Sequence, residues 1–98
     1  MYIKEISGSD FEENLDYFTI IDVRSPEEYK NGHVKGAINI SYQEILDRRD
    51  EIDDSNPIVL YCGSNRRSEF AATLLMQAGY KHVYIAPGVR LYDYNLIK

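Results

Sequence analysis

One cysteine and two arginines stand close together in the second half of the sequence, and their spacing could support chemistry on an anion. Cys62 directly follows the apolar run 58–61, and Arg66 and Arg67 come four and five residues after it. The thiolate is the reactive form of cysteine, and both nearby cations and helix amino termini favour it. The sequence therefore predicts a nucleophilic cysteine beside an anion-binding loop.

The residues between the cysteine and the arginines suit a tightly curled backbone. Gly63, Ser64 and Asn65 are small, and glycine and asparagine tolerate left-handed conformations. A helix is expected to begin directly afterwards, so its unpaired N–H groups would point at the same place as the loop amides. Arginine is unfavourable at the amino end of a helix, so two arginines there indicate function rather than stability.

The residues of this loop allow two other interpretations. A lone cysteine is often only a small buried side chain, although the curled loop and the arginines argue against that here. Protein tyrosine phosphatases also use a cysteine beneath an anion-binding loop, but their arginine is the sixth residue after the cysteine. Here the sixth residue is Ser68, and the loop is one residue too short to surround a phosphoryl group in that way.

Short β-rich runs alternate with helical patterns along the chain. The predicted strands are 2–6, 19–23, 38–40, 58–62 and 83–86. Serine followed three residues later by glutamate marks three helix starts, Ser9/Glu12, Ser25/Glu28 and Ser41/Glu44. The clearest helix covers 67–78. This alternation predicts one α/β domain over residues 1–98, with ligands bound at the carboxyl ends of parallel strands, where Cys62 lies.

Composition excludes several classes of function. The formal net charge of -5 argues against a nucleic-acid or anionic-membrane partner. A single cysteine cannot form an internal disulfide, and His33 and His82 are too far apart to predict a Cys/His metal site. No apolar run approaches the roughly 20 residues that cross a bilayer. Because the first residues also lack the apolar stretch of a signal peptide, we expect a cytoplasmic protein.

The complete pattern resembles that of single-domain rhodaneses. Their active loop reads C-x-x-G-x-R, and Cys62 and Arg67 occupy its two ends. The segments 21–29 and 32–40 are similar to the upstream signature of the family, and 79–89 is similar to its closing segment. Two long motifs and the loop, in the right order and spacing, cover nearly the whole chain.

The resemblance implies a three-layer α/β/α fold with a central five-stranded, mostly parallel sheet. It also implies a sulfurtransferase in which Cys62 takes sulfur from a small anionic donor such as thiosulfate. The resulting persulfide would pass its sulfur to cyanide, a small thiol or a protein thiol, and no metal or organic cofactor is implied. The substrate-binding residues would be Gly63, Ser64, Asn65, Arg66 and Arg67, with Asp22 and Ser68 supporting the loop.

The sequence departs from the family pattern at three positions. Asn65 stands where the loop usually has glycine, Pro87 where the first glycine of a pair is common, and Tyr92 where a tryptophan often follows. These differences affect the shape of the loop and the rim of the pocket, which Tyr92 could line. The alternative function is a non-catalytic rhodanese-like module that binds a ligand, carries sulfur or senses oxidation through Cys62.

Polar residues near the second strand leave alternatives open. Asp22 could brace the backbone of the active loop or cap its own turn. Arg24 is interpreted as an ion-pair partner of Glu27 or Glu28 rather than a contact to the substrate, and His33 as a structural residue packed in a turn rather than a general base.

Overall fold

The computed structural model describes residues 3–98, and its centre is a five-stranded sheet. The strands are β1 (Lys4–Glu5), β2 (Thr19–Asp22), β3 (Ile38–Asn39), β4 (Ile58–Tyr61) and β5 (Val83–Ile85). Their order across the sheet is β1-β5-β4-β2-β3, and every pairing is parallel. The five strands occur where the sequence predicts them, each shorter than predicted. Tyr2, assigned to the first strand, lies outside the described residues.

Three α-helices connect the strands. They are α1 (Gly8–Glu12), α2 (Pro26–Lys30) and α3 (Arg66–Gln77). Single 3-10 turns cover Leu15–Tyr17, Tyr42–Glu44 and Arg49–Glu51. The third predicted helix start therefore leads only to a 3-10 turn, in which the Ser41 hydroxyl accepts from Gln43 N rather than from Glu44.

The helix caps were predicted correctly for α2 and wrongly for α1. In α2, Ser25 and Glu28 form both hydrogen bonds of the capping box. In α1 the cap is Ser7, whose hydroxyl accepts from Asp10 N at 3.1 Å, so Ser9 lies inside the helix. Ser7 comes shortly after the end of β1 and has the extended backbone that an N-cap requires. This explains why Ser7 rather than Ser9 caps α1.

Alternate residues of the central strands pack against different layers of helices. Ile21 and Leu60 belong to a core cluster with residues of α3, whereas Ile20 and Val59 belong to a second cluster with Phe11 of α1. This period of two is the pattern of a sheet that is covered on both faces. The predicted three-layer α/β/α arrangement is confirmed.

The same alternation decides where the residues at the end of β4 point. Tyr61 belongs to the cluster on the α1 side, and Cys62 belongs to the cluster on the α3 side. The chain then turns directly into α3, so the cysteine and the amino end of that helix share one face of the sheet.

Candidate active site

The loop from Cys62 to Arg66 curls around the cysteine sulfur. Asn65 has the left-handed conformation that the sequence predicts to be tolerated there, with φ at 78°. Its N–H donates to Cys62 Sγ at 3.1 Å, and the N–H of Ser68, in the first turn of α3, donates at 3.4 Å. Only 1% of Cys62 is exposed. Two amides that the helix leaves unpaired therefore converge on one buried sulfur, where they favour negative charge.

Ser68, in the first turn of α3, links the loop to the helix through buried contacts of its hydroxyl. Its hydroxyl donates to the carbonyl oxygen of Asn65 at 3.1 Å and lies 3.5 Å from Cys62 Sγ, as acceptor of the thiol proton. The residue is completely buried. These contacts fit the supporting role that the sequence analysis assigned to Ser68.

The side chain of Asn65 makes a contact that glycine could not make. Its Oδ1 accepts from the backbone N–H of Gly88 at 2.8 Å. The departure from the family's usual glycine therefore keeps the left-handed turn and adds a bond to the segment after β5.

Arg67 and Arg66 differ in their surroundings. Arg67 forms a bidentate pair with Glu28, with Nη1 2.8 Å from Oε1 and Nη2 3.1 Å from Oε2. The hydrogen bonds from Arg67 lower the pKa of Glu28 to about 2. Arg66 and Ser64 are exposed. The loop thus presents one arginine that is fixed by an acid of α2 and one that extends into solvent.

A second polar cluster lies at the end of β2, and it corrects the predicted partner of Arg24. Arg24 pairs with Asp22, with Nη2 2.7 Å from Oδ2, and not with Glu27 or Glu28. The hydroxyl of Tyr61 donates to the same carboxylate at 2.8 Å and accepts from Val34 N at 3.0 Å. Burial, with Asp22 nearby, raises the pKa of Tyr61, so this hydroxyl remains a donor.

Asp22 therefore acts within its own turn and on Tyr61 rather than on the loop backbone. Its Oδ1 accepts from Arg24 N at 3.0 Å, which is the turn-capping alternative, and its hydrogen bonds within residues 3–98 include none to the amides of the 63–67 segment. Any support that it gives to the active loop passes through Tyr61, the residue before Cys62.

The turn after β5, residues 88–90, forms the other side of the site. Its last residue, Arg90, is not among the site residues that the sequence predicts. Val89 N donates to the carbonyl of Cys62 at 2.9 Å, and Arg90 N donates to the carbonyl of Gly63 at 3.0 Å. A Cβ at Gly88 would collide with the Gly63 carbonyl, so glycine is needed there. The only signal of this cation in the sequence is that an arginine, Arg90, follows this glycine by two residues.

Other residues singled out by the sequence lie in structural contacts. His33 stacks on Tyr29 with ring centroids 3.8 Å apart, in keeping with its structural interpretation. Tyr92 packs against Gly8 and Tyr94. Within residues 3–98 there is no group of three or more His, Cys, Asp or Glu side chains arranged to hold a metal ion, and no helix long and apolar enough to cross a membrane.

Comparison with known proteins adds to this geometry. The sequence profile of the rhodanese-like domain matches residues 7–88. The chain is 43% identical over 72 residues to the thiosulfate sulfurtransferase PspE of Escherichia coli K12, which covers 71% of this chain and 69% of that protein. It is 37% identical over 92 residues to YrkF of Bacillus subtilis 168, a candidate sulfur carrier protein, covering 90% of this chain. The chain spans half the length of YrkF.

A solved structure shares the complete fold. The rhodanese-related protein of Thermoplasma volcanium superposes with a TM-score of 0.86 at 26% identity, covering 96% of this chain and 97% of that one. The profile match, the relatives and the parallel five-stranded sheet agree. The chain belongs to the family of rhodanese-like domains.

Proposed function

We propose that this chain is a sulfurtransferase of the thiosulfate type, with Cys62 as its nucleophile. The observation that carries the proposal is the convergence of the Asn65 and Ser68 amides on Cys62 Sγ. Such donors stabilise a charge that stays on sulfur, either as a thiolate or as a persulfide, before and after transfer. The similarity to the thiosulfate sulfurtransferase of E. coli supports the same chemistry.

In the first step, the Cys62 thiolate attacks the outer sulfur of thiosulfate. A new bond joins the two sulfur atoms, the sulfur–sulfur bond of thiosulfate breaks, and sulfite leaves with the bonding electron pair. The anionic persulfide then carries the charge that the thiolate carried before. This is nucleophilic substitution by an activated cysteine, so the proposal includes no metal or organic cofactor.

In the second step, a nucleophile attacks the terminal sulfur of the persulfide. If the nucleophile is cyanide, the product is thiocyanate. If it is a thiolate, the product is a new persulfide. In both cases Cys62 is the leaving group and returns to the thiolate form. The 98-residue sequence contains no other cysteine that could take the sulfur. A thiol acceptor therefore lies outside these 98 residues.

The loop residues have distinct roles in this scheme. The amides of the 63–65 curl and the first turn of α3 hold the negative sulfur, and Arg66 and Arg67 attract the anionic donor. Arg67 has an additional role, because its bond to Glu28 joins the loop to α2. The positive charge of the site favours an anionic sulfur donor, although the chain as a whole has a net charge of -5.

The test is intact-mass measurement after treatment with thiosulfate. We expect a gain of one sulfur atom that is lost on addition of cyanide, with thiocyanate released in equal amount. Cys62→Ser is the matched control and should show no gain. Absence of an adduct from every sulfane donor tried would contradict the proposal, and hydrolysis of an aryl phosphate that depends on Cys62 would favour a phosphatase instead.

A second candidate function is a sulfur carrier without rapid turnover. It is favoured by the similarity to YrkF, a candidate sulfur carrier protein. In that case the persulfide would form and persist, and the rate of thiocyanate release would equal the uncatalysed rate between cyanide and a small persulfide. A release rate well above that value would instead support the enzyme.

A further inference from the structure

We propose that Arg90 is a donor-binding residue that adds a further cation, from outside the loop, to the anion site at Cys62 and makes the site selective for negatively charged sulfur donors. The inference deepens the proposed sulfurtransferase function and rests on it for the identity of the donor. It concerns a residue outside the loop between Cys62 and Arg67.

The position of Arg90 is set by its backbone. Its N–H donates to Gly63 O at 3.0 Å, the N–H of Val89 donates to Cys62 O at 2.9 Å, and the N–H of Gly88 donates to Asn65 Oδ1 at 2.8 Å. Three consecutive amides of the turn therefore bond to residues of the active loop. This arrangement holds the turn and the loop together as one unit.

The side chain of Arg90 extends over the residue next to the nucleophile. Its Nε lies 3.6 Å from the point where a Cβ on Gly63 would be, and Nη2 of Arg67 lies 3.5 Å from the same point. Two guanidinium groups thus flank Gly63, one from α3 and one from the turn. A side chain larger than hydrogen at Gly63 would fill the space between them.

The two arginines differ in the charge that remains available. Arg67 is neutralised by its bidentate contact with Glu28, whereas none of the ion pairs formed within residues 3–98 includes Arg90. Arg90 is also exposed, so an entering anion meets it without first displacing a carboxylate. The geometry therefore adds the free positive charge of Arg90 to that of the exposed Arg66, whereas the charge of Arg67 is largely balanced by Glu28.

The sharpest test compares two alkylating agents that differ in charge. Iodoacetate is anionic and iodoacetamide is neutral, and both react with the thiolate of Cys62 by the same displacement. The ratio of their rate constants reports the local charge near the sulfur and does not require turnover. We expect Arg90→Gln to lower this ratio about five-fold, the effect of one unit charge a few ångströms away in a water-like medium.

Two further variants serve as controls. Arg49→Gln removes an equal charge from an exposed arginine near Ile58 and His82, at the amino ends of β4 and β5, and should leave the ratio unchanged. Arg90→Lys keeps the charge and should retain most of the ratio. If Arg90→Gln and Arg49→Gln gave the same ratio, the proposed role of Arg90 would be wrong.

Steady-state kinetics with thiosulfate form the second arm. Arg90→Gln should raise KM for thiosulfate several-fold with a smaller change in kcat, because the charge acts on binding of the donor. Unchanged KM with a lowered ratio would show that Arg90 governs local charge but not donor binding, which would overturn its assignment as a donor-binding residue. If no donor formed a persulfide on the unmodified chain, the sulfurtransferase proposal would fail, while the alkylation ratio would still decide the electrostatic role.

Discussion

Two polar clusters lie at the carboxyl ends of the adjacent strands β2 and β4, on opposite faces of the sheet. In the first, Asp22 and Arg24 are 0% and 5% exposed, and Tyr61 donates to the same carboxylate oxygen that Arg24 Nη2 contacts. In the second, Cys62 receives two amide hydrogen bonds, while the nearby Arg67–Glu28 pair remains about one third exposed. The first cluster is closed, whereas the second is bordered by the exposed side chains of Arg66 and Arg90.

This difference in burial sets how much each ion pair contributes to the stability of the fold. A buried pair that loses one partner leaves a charge without compensation, which is strongly destabilising. A partly exposed pair is screened by water, and its loss costs little stability. Arginine–carboxylate pairs of similar length can therefore have different roles, and burial distinguishes them.

The largest expected effect is on stability, at Asp22. Asp22→Asn removes the counter-charge of Arg24 and should lower the free energy of unfolding by about 3–5 kcal/mol, as measured by urea denaturation. Glu51→Gln, which alters an exposed ion pair with Arg48, is the control and should have a much smaller effect. Equal effects of the two substitutions would show that the buried cluster does not stabilise the fold as its burial suggests.

A smaller effect, on reactivity, is expected at Arg67. Arg67→Ala removes a cation from the loop and frees Glu28, so persulfide formation from thiosulfate should slow about ten-fold, or about 1.4 kcal/mol. The free energy of unfolding should fall by less than about 1 kcal/mol. Arg48→Ala, in an exposed ion pair remote from the loop, should leave the rate unchanged. Parallel loss of rate and stability in Arg67→Ala would mark Arg67 as structural.

The smallest effect is a pH dependence at Glu28. The pKa of this carboxyl is lowered from 4.5 to about 2 by the hydrogen bonds from Arg67, so its charge stabilises the fold fully above about pH 4.5. The stabilisation is lost as the pH falls toward 2. The difference in thermal stability between the unmodified chain and Glu28→Gln should be constant between about pH 5 and 7 and shrink below that range. A difference near pH 2.5 as large as that at pH 6 would contradict the ion-pair explanation.

Local patterns in the sequence predict much of the fold. The apolar runs of β2 and β4, the Ser25–Glu28 capping box and the stop of α3 near Gly79 all follow from interactions among neighbouring residues. The prediction of the α1 cap was wrong because Ser7 and Ser9 both suit the position locally. Only the end of β1 decides which of them keeps an extended backbone.

Pairings across the chain are harder to predict. Glu28 meets Arg67, 39 positions away, and Arg24 meets Asp22, although Arg24 is also close in sequence to Glu27 and Glu28. The choice depends on which face of the sheet each side chain occupies once the strands are paired. Charge and spacing alone allow either partner.

By itself the sequence determined the curled loop after Cys62 and the parallel α/β order, because these depend on residue type, periodicity and spacing along the chain. Only the tertiary structure decided that β5 lies between β1 and β4 and so brings the turn with Arg90 against Gly63. It also decided that Asp22 belongs to a closed cluster on the face opposite Cys62. These outcomes depend on strand order and on the direction of each side chain, which are set by packing over long separations in sequence.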